Sequence, residues 1–222
     1  MPAFSPASKA RLTDHDLGRF AGDTLFDRLA RQVCHAGCLP RKELFETWEM
    51  ARRVRRRVRG GRVVDVAGGH GLLAHAMLLL DDASPGAIVV DPLAPPSRDR
   101  LHAAMVDAWP RLNGRVSFVT GDLDRATLTG GDVVVSAHAC GALTDRVLAK
   151  AVAARASVAV LPCCHDLDVN DTGGLEGWVD GPLAVDVVRA VRLREAGYQV
   201  WTQSIPASIT PKHRLLIGVP RV

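Results

Sequence analysis

Val63-Val64-Asp65-Val66-Ala67-Gly68-Gly69-His70-Gly71-Leu72-Leu73-Ala74 runs from a β-branched strand through an acid and a glycine cluster into an apolar helix. Glycines are needed where a backbone turns sharply, and where a ligand must approach the main chain with no Cβ in the way. An acid at the strand's end is placed to meet the ammonium or hydroxyl groups of a charged nucleoside. The segment predicts a strand–turn–helix unit with a ligand at its turn.

Outward from this unit, strands and helices alternate. Strand candidates are 63–66, 87–90, 116–119, 133–136 and 158–161, with helical stretches near 71–80, 99–109, 142–154 and 183–196. Such alternation implies a parallel sheet with right-handed crossovers. The end of the chain differs. Segments 198–205 and 215–219 are separated by too few residues for a helical crossover, so they pair as a hairpin. The predicted fold is α/β: a Rossmann-like, doubly wound, mostly parallel seven-stranded sheet with an antiparallel terminal strand, over residues 62–222. Residues 1–61 read as a helical N-terminal extension. Thr13 with Asp16 gives a capping-box signal ahead of Leu25, Phe26, Leu29 and Val33 at helical spacing, and Gly37 ends that helix. After Pro40 a second helix carries the apolar stripe Leu44, Trp48, Ala51, Val54 and Val58, with arginines on its other faces and Gly60-Gly61 as its stop.

With 222 residues, 47% of them hydrophobic, the chain can build one α/β core. No apolar run approaches the roughly 20 residues that span a bilayer, and Met1–Lys9 lacks a signal-type apolar core. Five cysteines, two of them adjacent, do not suggest a disulfide framework. A cytoplasmic protein without a membrane partner is therefore expected. The net charge is only +4, but Arg52, Arg53, Arg55, Arg56, Arg57, Arg59 and Arg62 crowd one segment. Such a cluster either draws phosphates through counterion release or forms a solvated helix face. RNA is the partner expected for it, through Arg52, Arg53, Arg55, Arg56, Arg57 and Arg59.

The glycine segment resembles the cofactor loop of class I S-adenosylmethionine (SAM) methyltransferases. The resemblance implies SAM as cofactor. Asp65 would take its ammonium, Gly68, Gly69 and Gly71 its close approach, Asp91 the ribose hydroxyls and Asp122 the adenine amino group. The structural alternatives are a turn that merely needs glycine, a satisfied buried Asp65 and a capping Asp122. Gly69-x-Gly71-x-x-Ala74, with Asp91 about 20 residues on, also fits a loose dinucleotide fingerprint, so an NAD-binding oxidoreductase is a rival reading.

The fourth and fifth strands end in Ser136-Ala137-His138-Ala139-Cys140-Gly141-Ala142-Leu143-Thr144-Asp145 and Leu161-Pro162-Cys163-Cys164-His165. The carboxyl ends of strands border the ligand crevice in such sheets. This pair of segments is similar to a methyltransferase-domain family that includes acceptor-stem tRNA 2′-O-methyltransferases and the methyltransferase-like 25 proteins. Thr210-Pro211-Lys212-His213-Arg214 resembles a further motif of that family, usually written with Asn at the place of His213. The tRNA enzymes continue their second motif with a histidine where this chain has Asp166, and they carry Cys/His zinc modules not found here. The resemblance implies methyl transfer with RNA as acceptor, a tRNA ribose hydroxyl being one acceptor it allows. A small-molecule methyltransferase and an inactive SAM-binding partner are the alternatives. His138 is the first candidate for general base and His165 the second, with Asp145 orienting one of them or binding the acceptor. Cys163, Cys164 and His165, with Cys34, His35 and Cys38, hold enough donors for zinc, but the spacing is weak and no metal is expected. Trp178, in the polar stretch 170–181, either covers the substrate or anchors its loop, and Arg189, Arg192 and Arg194 extend a basic surface.

Overall fold

The computed structural model describes residues 4–221. Seven strands form one sheet: β1 Arg62–Val66, β2 Ala87–Asp91, β3 Val116–Thr120, β4 Asp132–Ser136, β5 Ser157–Val160, β6 Tyr198–Ser204 and β7 Arg214–Pro220. Their order is β3-β2-β1-β4-β5-β7-β6, and only β7 runs against its neighbours. The nine residues between β6 and β7 cannot hold a crossover helix, which forces that reversal. β1 and β4 are almost wholly buried because helices cover both faces of the sheet, which explains their valine-rich runs. Between β1 and β4 the winding changes sides, and ligands of open α/β sheets enter at such a switch.

Six α-helices complete the fold: α1 Leu25–Ala36, α2 Arg41–Arg55, α3 Leu72–Leu79, α4 Arg98–Ala108, α5 Ala142–Ala154 and α6 Gly181–Glu195. Leu29 and Val33 of α1, Leu44, Met50 and Val54 of α2, and Met77 of α3 share one core with Val63 and Val135 of the sheet. The N-terminal extension is thus packed on the sheet and shares its core. The opposite face buries Val147 of α5 and Leu193 of α6 against Val64, Val134 and Val158.

Two helix boundaries differ from the sequence expectation. The Asp16 carboxylate accepts from the Thr13 N–H at 3.2 Å, but the turn it closes is a separate 3-10 segment, Asp14–Phe20. α1 has its own cap, Thr24, whose hydroxyl accepts from the Asp27 N–H. α2 stops at Arg55, short of the glycine pair, where the Arg55 guanidinium donates to the carbonyls of Gly60 and Met77 and to Ser84 Oγ.

Candidate functional site

β1 delivers Asp65 into a fully buried position at the head of α3. Its Oδ2 accepts the Ala74 N–H at 3.2 Å, and burial pushes its carboxyl up to about 8. Gly68 lies against it: a Cβ there would stand 2.7 Å from the carboxylate and 2.8 Å from Val89, so only glycine fits. Gly71, at φ 77°, caps α3, and the amides of the helix's first turn have no intrahelical acceptor. Ala67, at φ 54°, adopts a left-handed conformation that favours glycine. His75, buried within α3, donates from Nδ1 to the Gly71 carbonyl at 2.7 Å and fixes the turn from behind.

Asp65, Ala67, Gly68, Leu72 and Leu73 line a narrow recess with Ala137 and His138 from the β4 end and Glu43 and Thr47 from α2. Burial, reinforced by neighbouring Glu46, lifts the Glu43 carboxyl to about 7. Buried Asp65 and half-buried Glu43 therefore line one recess, and neither forms an ion pair among the described residues. Such a pair calls for a cationic ligand, since unpaired buried charge is costly. The ammonium end of SAM meets that demand, and the positive end of the α3 dipole suits its carboxylate. Glu43 and Thr47 were missed in the sequence. Their spacing of four puts both on one helix face, but only the packing of α2 against α3 turns that face to the ligand.

Asp91 and Asp122 follow β2 and β3 as expected. Asp91 accepts the N–H groups of Gly69 at 2.9 Å and Leu93 at 2.8 Å, so it braces the glycine turn. Asp122 caps the short turn Leu123–Arg125 by accepting the Asp124 N–H. A much larger groove of about 760 Å³ lies along α6, β6 and β7, lined by Ala190, Val191, Val200 and Leu216. No carboxyl–glycine constellation converges there, so the narrow recess is the candidate cofactor site.

On the acceptor side, the Ser136 hydroxyl donates to the Val66 carbonyl at 2.7 Å and accepts the Ala139 N–H at 3.0 Å. These bonds pin the β4 loop to the end of β1 and hold His138 at the recess. His138 is exposed at one edge, yet the protein packed around its ring holds it below the ordinary histidine value. That shift favours the neutral imidazole, the form able to accept a proton. His165 and Asp145 are placed differently. The His165 side chain is 1% exposed and bonds through Nε2 to Asp186 at 2.8 Å. Asp145 receives Arg189 at 2.8 and 2.9 Å and Asn170 Nδ2 at 2.8 Å. Arg214 also reaches Asp186, at 2.7 Å. This network ties α5, α6, β7 and the loop after β5 together, and neither His165 nor Asp145 lines the recess. Arg189 is buried within it, which corrects its expected place on a basic surface.

One member of the arginine cluster needs correction, while Arg56, Arg57 and Arg59 are exposed as expected. Arg55 is 2% exposed, pairs with Asp81 at 3.1 Å and is unavailable to any partner. Arg52 and Arg53 pair with Glu49, Arg57 lies over Trp201 and Arg59 donates to the Leu80 carbonyl. The cluster ends α2, about 20 Å along the helix from Glu43. Trp178 is 88% exposed, which removes the reading of it as a packed loop anchor. No described helix is long and apolar enough to cross a membrane.

A family model described as a methyltransferase domain matches residues 42–169, more than half of the chain. The chain belongs to this methyltransferase-domain family. Similar solved structures include an O-methyltransferase family protein from Burkholderia thailandensis, at 21% identity and TM-score 0.50, covering 98% of this chain and 65% of that one. The SAM-dependent methyltransferase SibL, in its apo form, is 21% identical with TM-score 0.51, over 99% and 71% of the two chains. The B. subtilis M1A22 tRNA methyltransferase TrmK is 14% identical with TM-score 0.50, over 78% and 65%. The chain spans just under two thirds of the Burkholderia and B. subtilis proteins. No curated protein matches it. At these identities the neighbours establish the fold, and the family establishes the class: a methyltransferase domain. The antiparallel β7 sets this methyltransferase apart from the dinucleotide-binding sheet, which keeps its sixth strand parallel.

Proposed function

We propose that this methyltransferase is a working enzyme that methylates RNA, with Asp65 and Glu43 facing the cofactor ammonium and His138 taking the acceptor's proton. The observation that carries the cofactor side is that Asp65, buried, and Glu43, half-buried, line one recess with no ion pair to either carboxyl among the described residues. Bound SAM supplies a methyl on a sulfonium sulfur, open to in-line displacement, so alignment is the protein's main task. Neutral His138, beside the recess, suits removal of a proton from a hydroxyl or amine.

RNA as acceptor is favoured by what the loops at the carboxyl edge of the sheet, and the cations of the neighbouring elements, expose. Leu93, after β2, is 81% exposed, and Trp178, after β5, offers an open aromatic face for a base. Arg11 pairs by a β-bridge with Pro40 at the start of α2, and exposed Arg100 lies close enough to His70 to lower its pKa. Lys212 sits in the β6–β7 loop, which leaves the sheet at the same carboxyl edge. These cations take over the role that the sequence gave to the arginines of α2. The test is incubation with labelled SAM and fractionated RNA, protein and metabolite extracts. Label should enter RNA, and three phosphate contacts should weaken RNA binding about 20-fold between roughly 50 and 200 mM salt. Label confined to metabolites would replace RNA with a small-molecule acceptor, and SAM binding without transfer to any extract would leave an inactive partner.

A further inference from the structure

The loops after β4 and β5 bring three thiols together. The Sγ atoms of Cys140, Cys163 and Cys164 all lie within 4.8 Å of one another, although 22 residues separate Cys140 from the pair. Cys163 and Cys164 are 3.7 Å apart, and Cys140 is 2.7 Å from Cys163. The Gly141 N–H donates to the Cys164 carbonyl at 3.2 Å and fastens one loop to the other. Cys140 and Cys164 are exposed and Cys163 is half-buried, so the cluster opens to solvent.

We propose that Cys140, Cys163 and Cys164 form a three-sulfur site for a thiophilic d10 cation, zinc, on the acceptor side of the crevice. Tetrahedral coordination with zinc–sulfur bonds near 2.3 Å puts ligand sulfurs about 3.8 Å apart. The Cys163–Cys164 pair already has that edge. Cys140 must retreat by about 1 Å, which an exposed side chain does by a small rotation. Each thiol gives up its proton to solvent on binding, so three thiolates and the dication carry one net negative charge. No described histidine or carboxylate joins the three sulfurs, and the fourth position is open to solvent or an exogenous ligand. His165, next in sequence to Cys164, has its Nε2 committed to Asp186. Adjacent cysteines look a poor ligand pair in sequence. Here the chain turns out of β5 so that both sulfurs reach one point, while Cys34 and Cys38 are buried elsewhere, near the end of α1.

The test is metal titration of the intact, fully reduced protein against a chromophoric chelator, with cobalt as a spectroscopic probe. One equivalent of zinc per chain is expected, and the cobalt form should show thiolate charge-transfer bands of tetrahedral type. Cys140→Ser and Cys164→Ser should each weaken zinc at least about 100-fold, more than the loss of an outer-shell partner costs. Cys34→Ser and Cys38→Ser should leave affinity unchanged. Should Cys163→Ser fail to fold, the two exposed positions still decide the matter. Reduced protein that binds no stoichiometric metal, or binding that survives the Cys140→Ser/Cys164→Ser double variant, overturns the site. A Cys140–Cys163 disulfide in air with no metal affinity after reduction also overturns it. SAM binding measured on the same samples separates this outcome from any failure of the cofactor site.

Discussion

Replacing Asp65 by Asn should make the free protein more resistant to unfolding as pH rises while abolishing its cofactor affinity. The unfolded carboxyl titrates at the ordinary 3.8 and the folded one at about 8, because burial disfavours its charge. A folded pKa raised above the unfolded one means that the native state holds the proton more tightly. Stability is therefore full below about pH 4 and is lost progressively as pH rises toward 8. At 1.36 kcal/mol per pH unit, the penalty accumulated by pH 7 is about 4 kcal/mol. The Asn variant does not titrate. Its amide oxygen can still accept the Ala74 N–H, while its NH₂ lacks a partner at a constant cost of about 1–3 kcal/mol. The difference between variant and wild type should thus move in the variant's favour by about 4 kcal/mol from pH 4 to 7. SAM affinity should fall about 100-fold or more, as for a buried charge pair that loses one partner. Urea unfolding across this pH range and calorimetric titration of SAM measure both. Parallel stability curves for the two proteins, or an Asn variant that binds SAM within about threefold of wild type, would refute the reasoning.

The glycine turn and the helix behind it give further expectations. Gly68→Ala places a Cβ 2.7 Å from the Asp65 carboxylate, so it should cost about 1–3 kcal/mol in denaturant unfolding and weaken SAM in the same calorimetry. Ala67→Gly releases a left-handed alanine; the relief of about 1–2 kcal/mol, less glycine's entropy, should raise Tm by a few degrees in scanning calorimetry. Arg55→Ala leaves Asp81 buried without its partner and should cost about 3–5 kcal/mol, or at least about 6 °C in Tm, with RNA binding unchanged once the protein is folded. His138→Gln should preserve SAM affinity and lower turnover about 10²–10⁴-fold if the imidazole moves the acceptor proton, which steady-state kinetics would read.

Much of the fold was legible because it rests on local periodicity. Short β-branched runs between helical stretches made the first five strands legible, and the short link from Tyr198–Ser204 to Arg214–Pro220 made the terminal hairpin and the reversal of β7 legible. The glycine turn and Asp65 were legible for a related reason, since tight turns and strand ends restrict residue type within a few positions. The ends of the 3-10 segment and of α2 were less so. There the deciding bonds come from residues outside the helix, as with Arg55 and Ser84.

Sequence by itself determined the sheet, its winding and the acid–glycine unit, because backbone turns and burial periodicity act over a few neighbouring residues. Only the tertiary structure decided what the charged and sulfur-bearing side chains do. Arg55 is buried against Asp81, and Arg189 between Asp145 and Asp186. Glu43 lines the cofactor recess from another element, and Cys140 meets Cys163 and Cys164 across two loops. Long side chains take their role from whichever partner folding brings within a few ångströms, and that distance is set by the packing of elements far apart along the chain.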